Sequence, residues 1–185
     1  VYNEKELVSR ILNEDLRAFE LLVKQYEKLV FHVVGRMVRD EDDKQDVAQE
    51  VFMKVHRNLG TFQFNSKLST WIARIAYLSA INFIKKNKRN SDTEALDTVE
   101  NFHFTRESPD KVMEKKELSD YVNRLIEMMP DNFRIVITLY HLNEFSYQEI
   151  EDITGMPEGT IKSYLFRGRK LLKEKLEVYL KKEVS

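Results

Sequence analysis

The chain has 185 residues, 30 of them basic and 31 acidic, for a net charge of -1, and contains no cysteine. The balance excludes a protein that coats nucleic acid through uniform positive charge, so any DNA contact must come from local patches; the missing thiols exclude disulfides, thiolate metal sites and cysteine catalysis. Five glycines and three prolines leave few breaks for strands and turns, no run of about 18 apolar residues occurs, and charges stand between Val1 and Asp15 where a secretory signal would be apolar, so the expectation is a soluble, cytoplasmic, all-α protein.

Residues 3–12 read as a short amphipathic helix with Leu7, Val8 and Ile11 on one side. A longer helix is predicted over 16–38, where Phe19, Leu22, Val23, Tyr26, Val30, Val33 and Met37 return at three- and four-residue spacing as core. Asp40, Glu41, Asp42 and Asp43 open a third helix, a placement that favours the macrodipole. This cluster lacks the glycine and spaced oxygens of a calcium loop, so no metal site is assigned. With Val47, Val51, Phe52 and Val55 facing inward, Asp46, Gln49, Glu50 and Met53 gather on the solvent side, a face suited to docking a protein.

After Gly60 a loop interleaves Phe62 and Phe64 with Asn65, Ser66 and Lys67. The helix that follows is set by Leu68, Ile72, Ile75, Ala76 and Ser79 and ends in Lys85, Lys86, Lys88 and Arg89. Aromatic rings beside cations are what stacks unpaired bases and holds their backbone. By itself the stretch does not choose, because Phe62 and Trp71 can equally pack beneath the helix and lysines suit any helix C-terminus. Periodicity then fades, and Ser91, Asp92, Thr93, Glu94, Asp97, Glu100, Ser108 and Pro109 mark a flexible linker over 91–115. It divides two small helical domains, 1–90 and 116–185; Phe102 and Phe104 within it suit a segment that docks on a partner.

The second domain opens with a helix carrying Leu118, Tyr121, Val122 and Leu125, broken at Pro130, and continues with one over 131–142 that buries Phe133, Val136, Ile137 and Tyr140. His32, His56, His103 and His141 show no ligand spacing. Residues 145–172 read as a helix-turn-helix. Ser146 with Glu149 three residues on is a capping box; Ile150 and Ile153 share a face, Gly155 permits a sharp stop and Pro157 forbids continuation. From Glu158 a second helix carries Ile161, Leu165 and Leu172 inward, with Gly168 between them. Helical hairpins without DNA share this outline. The DNA reading is favoured by the exposed chemistry: Lys162, Arg167, Arg169, Lys170, Lys173 and Lys175 are opposed only by Glu174 in their span, and Glu158, Gly159 and Thr160 at the helix start leave amides for a phosphate.

In combination these stretches resemble bacterial sigma factors of the extracytoplasmic-function (ECF) group of the sigma-70 family. Residues 43–59, DKQDVAQEVFMKVHRNL, resemble the family's core-polymerase-binding helix, with Asp46, Gln49, Glu50 and Phe52 at its most characteristic positions. Residues 64–86 resemble the segment that opens and captures the minus-ten element, and 144–172 the domain that reads the minus-thirty-five element. Leu78 stands where the family often has Asn, and Tyr164 where Arg is frequent.

The resemblance implies recognition without catalysis and without a cofactor. It places Asp43, Asp46, Gln49, Glu50 and Met53 on core RNA polymerase. It places Phe62, Phe64, Asn65, Ser66, Lys67, Trp71, Arg74, Asn82, Lys85 and Lys86 along the melted minus-ten strand. Glu158, Gly159, Thr160, Lys162, Ser163, Phe166, Arg167 and Lys170 then meet the duplex minus-thirty-five element. It also implies an anti-sigma factor as partner and no membrane insertion. The alternative is a two-domain regulator that binds duplex DNA without joining polymerase. A metal-dependent nuclease or phosphohydrolase would need carboxylates or a His-Asp set on facing helices, and only one acidic cluster occurs.

Overall fold

A computed structural model of the chain describes residues 3–90 and 115–183. Nearly all of the predicted linker, with Phe102, His103 and Phe104, lies outside the described residues.

The N-terminal half is built from capped helices. Asn3 accepts from the Lys5 amide at the start of α1 (Glu4–Leu12), and Asp15 accepts from the Ala18 amide at the start of α2 (Leu16–Gly35). Asp40 takes the amides of Asp42 and Asp43 at the start of α3 (Glu41–Asn58), so the acidic cluster does what its position favours. Asp15 has a second partner: the Arg10 guanidinium bonds it at 2.8 and 3.0 Å, closing the turn between α1 and α2 and holding the carboxyl below its usual range. α2 ends at Gly35, short of the expected residue 38, because the amides of Met37 and Val38 both turn back to the Val34 carbonyl; both side chains remain buried.

α4 (Leu68–Asn90) packs against both α2 and α3. Its buried stripe is Leu68, Ile72, Ala73, Ala76, Tyr77 and Ala80, facing Leu22, Val30, Val33, Val51 and Val55 of the same core. Three alanines in that stripe let the helix axes approach closely. The Leu68 amide donates to the Glu4 carboxylate at 3.4 Å, so α1 sets where α4 begins, and Lys54 reaches Ser79 at 3.0 Å to join α3 to it.

In the C-terminal half, α5 (Lys115–Glu127) leads to α6 (Asp131–Ile137), which widens into a π-helical turn, Thr138–Leu142. One regular helix is expected over 131–142; the wider turn appears because the Asn143 amide reaches back five residues to Thr138 and the Phe145 amide then bonds Leu139. α7 (Tyr147–Thr154) and α8 (Glu158–Glu183) follow. α8 lies against α6 at Gly168, where an added Cβ would stand 2.5 Å from Ile137 Cδ1 and 3.4 Å from Phe133. Glycine is required there for close approach, not for an unusual backbone angle.

The halves touch. α4 packs on α7, α2 on the π turn, and the buried apolar residues of both form one contiguous cluster.

Replacing Gly168 with Ala adds helix propensity worth about 1 kcal/mol and overpacks the α6–α8 contact by roughly 1 to 3 kcal/mol. Urea unfolding is expected to show net destabilisation of about 1 kcal/mol. In the G168A/I137V double variant, which removes the clashing methyl, most of the overpacking is relieved, so the two substitutions cost less together than their sum.

Candidate nucleic-acid interface

The exposed face of α8 is positioned from Ser146 upward. Its amide and hydroxyl both donate to Glu149 at 2.9 Å, and the Glu149 amide returns a bond to the hydroxyl at 3.3 Å, completing the capping box. Gly155 stops α7 in the left-handed region at φ 74°, its amide bonded to Glu151. Pro157 supplies its carbonyl to the first amides of α8. Ile150, Ile153, Ile161 and Leu165 are buried between the two helices, which fixes the outward face.

On that face Lys162, Ser163, Phe166, Arg167 and Lys170 are exposed, Phe166 at 70% of its surface. Gly159 is exposed, and Glu158 and Thr160 are half-buried at the helix start. Lys162 pairs with Glu158 and lies 5.3 Å from the Tyr147 ring; the hydrogen bond and charge of Glu158 raise the Lys162 pKa. Arg167 sits 5.7 Å from the Phe133 ring, and Arg169 5.0 Å from the Tyr140 ring while donating to His141 Nε2 at 3.0 Å. Tyr140 itself stacks on Tyr147 with centroids 5.2 Å apart. Tyr164, at a position where arginine is frequent in the resembled family, turns inward: its ring lies 5.0 Å from Phe133 and its hydroxyl accepts from Asn132 at 3.5 Å. This residue is scaffold, and the outward chemistry falls to its neighbours.

In the N-terminal half, Asp46, Gln49, Glu50 and Met53 are exposed on α3 and Asp43 is half-buried, while Lys54 ion-pairs Glu50 at 2.7 Å. The loop before α4 corrects one expectation. Phe62, counted among the strand-facing residues, is only 7% exposed and packs 4.7 Å from Phe64 and 5.3 Å from Trp71, so its ring supports the loop from beneath and is not open to stacking. Phe64 takes the accessible place, 39% exposed, with a left-handed φ of 59° and the Lys5 ammonium 5.8 Å from its ring. A non-glycine residue in that region is strained, a state that persists where surrounding packing dictates the conformation and that clusters at functional sites.

Asn65 donates to Gln63 at 3.3 Å, Ser66 to the Lys67 carbonyl at 3.5 Å, and Trp71 is half-buried. Asn82, Lys85 and Lys86 are exposed further along α4. Lys67 and Arg74 are not presented to solvent alone. Lys67 pairs with Glu149 at 3.0 Å and Arg74 donates to the Asp152 carbonyl, both partners lying on α7.

Sequence reasoning passed over Arg36. Its guanidinium bonds Thr138 Oγ1 at 3.0 Å and Asn123 Oδ1 at 3.1 Å and lies 3.6 Å from Glu127. Burial pushes its pKa down and the Glu127 carboxylate opposes this. Partners so distant in sequence leave no local signal.

Residues 22–90 match the family model described as Sigma-70 region 2, and residues 119–172 the one described as Sigma-70, region 4. The RNA polymerase sigma-H factor of Pseudomonas aeruginosa is 35% identical over 185 residues, covering 96% of each chain. The ECF RNA polymerase sigma-E factor of Escherichia coli is 34% identical over 186 residues, covering 97% of each. The chain belongs to the ECF sigma factors of the sigma-70 family. Among solved structures, the sigma factor RpoE in complex with the anti-sigma factor NepR from Bartonella quintana aligns with a TM-score of 0.66 at 24% identity, over 86% of this chain and 97% of that one. CnrH in complex with the cytosolic domain of CnrY aligns at 0.64 and 18% identity, over 93% and 96%. At these identities the likeness concerns the fold of the sigma factor, which is two helical domains as the sequence led us to expect.

Two histidines beside these surfaces are held neutral. Burial lowers the pKa of His32 below its ordinary 6.5, and the charges of Lys28 and Arg36 add to this; burial and then Arg169 do the same to His141. The folded chain therefore refuses protons that the unfolded chain accepts, so this part of the stability is present above about pH 6.5 and is lost as pH falls below it. The melting temperature is expected to drop between about pH 7.5 and 5.5, and less steeply in H32Q and H141Q.

Proposed function

We propose that this sigma factor binds core RNA polymerase through the Asp43, Asp46, Gln49, Glu50 and Met53 face of α3 and grips promoter DNA at two places. The α8 face reads duplex at the minus-thirty-five element. The Phe64 loop with Lys67, Trp71, Arg74, Asn82, Lys85 and Lys86 holds the melted minus-ten strand. The observation that carries the reading is the match over 96% and 97% of the chain to relatives named as sigma factors, and the exposed residues of α3, α4 and α8 support it.

The chemistry is selective binding. Unpaired bases gain stacking and backbone contacts only after the duplex opens, so binding to them shifts the promoter toward the melted state. On α8, Lys162 and Lys170 neutralise phosphates, while Ser163, Phe166 and Arg167 reach base edges and thymine methyls in the major groove. Bond formation belongs to polymerase; no catalytic role is assigned to this chain. Two of the solved relatives are bound to an anti-sigma factor or to the cytosolic domain of a second protein, and an anti-sigma factor is proposed as a partner here. Among the described residues no helix is long and apolar enough to cross a membrane, and the proposed place of action is the cytoplasm.

Run-off transcription with purified bacterial core polymerase tests the whole reading: the chain is expected to confer promoter-specific initiation, and absence of any association with core sinks it. The D46R/E50R variant is expected to lose core binding with an unchanged circular dichroism spectrum. R167A is expected to weaken minus-thirty-five duplex binding by about 1 to 3 kcal/mol if the guanidinium reads a base. An equal loss on scrambled duplex marks it as a phosphate contact.

A further inference from the structure

We propose that the groove where the α1–α2 turn meets the C-terminal end of α3 is a second seat for core RNA polymerase, taking an element whose aliphatic side chains are flanked by lysine or arginine. The inference rests on the assignment of the α3 face to core polymerase made above, and extends that face past Met53.

The groove is open and largely apolar. It holds about 450 Å³ between Leu12 and Leu16 on either side of the turn, with Ile11, Phe19 and His56 completing the apolar and aromatic lining. Leu16 keeps 72% of its surface exposed and Leu12 52%. A single exposed leucine needs no explanation; two that flank one cavity form a patch suited to a partner. The rings of Phe19 and His56 meet edge-on with centroids 4.8 Å apart, which joins the groove to α3.

The turn itself carries a cost. The Glu14 amide donates to the Ile11 carbonyl at 3.0 Å and the Asp15 amide to that of Arg10 at 3.1 Å, the paired bonds of a Schellman stop. The residue at the stop takes a left-handed angle, φ 64°, where glycine is the usual occupant, and here it is glutamate. Glu14 is exposed and lines the groove. The chain thus keeps a carboxylate where its backbone would sit more easily without a side chain, and strain of that kind gathers at binding sites.

Continuity and charge name the occupant. On α3, Gln49, Met53 and His56 follow one another at four- and three-residue spacing along one edge, so the groove prolongs the proposed docking face. The carboxylates of Glu14 and Asp15 in the groove match those of Asp46 and Glu50 further along. Cations nearby are engaged within the chain: Arg10 with Asp15, Lys54 with Glu50, and Arg57 on the Met53 carbonyl. One partner surface, apolar with a cationic rim, complements both. All of the lining except His56 precedes residue 22, where the match to Sigma-70 region 2 begins, so the added contact falls largely outside that stretch.

The test reads the affinity of the full chain for purified bacterial core polymerase from the anisotropy of fluorescein at Lys173→Cys, an exposed position in a chain with no native cysteine. L12N/L16N is expected to weaken core binding by roughly tenfold or more. E14G is expected to raise the melting temperature, because glycine suits the angle, and yet to weaken core binding by roughly two- to fivefold. Opposite signs in one variant separate a contact with polymerase from damage to the fold. E14K is expected to bind more weakly than E14G. Parent-like affinity in L12N/L16N overturns the proposal, and parent-like affinity in E14G does so if L12N/L16N fails to fold by circular dichroism. Loss of binding in D46R/E50R alongside either result leaves the α3 assignment standing; parent-like affinity in D46R/E50R means that assignment is wrong, and the groove falls with it. Self-association of the parent in sedimentation that disappears in L12N/L16N, with core binding unchanged, gives the groove to a second copy of the chain and overturns the proposal.

Discussion

Helix α4 has to satisfy three neighbours at once, and much of the molecule is arranged to let it. Its apolar stripe is consumed by α2 and α3, and the alanines in that stripe bring the axes near enough for valines on the opposing helices to fill the space. Against α7 it sets a lysine, a threonine and an arginine that meet a carboxylate and a carbonyl, beside the apolar cluster that runs through both halves.

The exposed face of α8 is set in a different way. α8 is held at a glycine that nearly touches Ile137, at Tyr164 lodged against Phe133, and at a turn whose Gly155 accepts a left-handed angle. Gly168 and Tyr164 turn inward, and Gly155 stands at the exposed turn. They set the angle and depth at which Ser163, Phe166 and Arg167 project from α8. Rings of Tyr140 and Tyr147 lie under the Arg169 and Lys162 cations, holding the heads of long side chains near fixed positions.

What the sequence disclosed was whatever is settled within a few residues. The aspartate caps, the capping box at Ser146, the stop at Gly155 and the periodic stripes are all local, and each appears where its spacing demands. The exposed cations of α8 were legible for the same reason, since the buried Ile161 and Leu165 fix the opposite face. Three things were hidden. The π turn at 138–142 depends on where Asn143 and Phe145 must bond. Phe62 and Phe64, two apart and alike in composition, divide into support and exposed ring only because Trp71 comes in over one of them. Arg36 is an ordinary helix-end arginine until Asn123, Glu127 and Thr138 are brought to it. Arg36 and Phe62 wait on partners from outside the local window that patterning reads; the π turn has local partners but no residue pattern that announces the wider ring.

The π turn closes α6 with a wider ring than the helix before it: the Asn143 amide reaches the Thr138 carbonyl and the Phe145 amide reaches that of Leu139. The donors that close α6 are thus the residues that lead away from it, and Phe145 is buried immediately before the Ser146 cap of α7. The end of one helix and the approach to the next are a single hydrogen-bonded unit, so a change of length between Asn143 and Phe145 would disturb both at once.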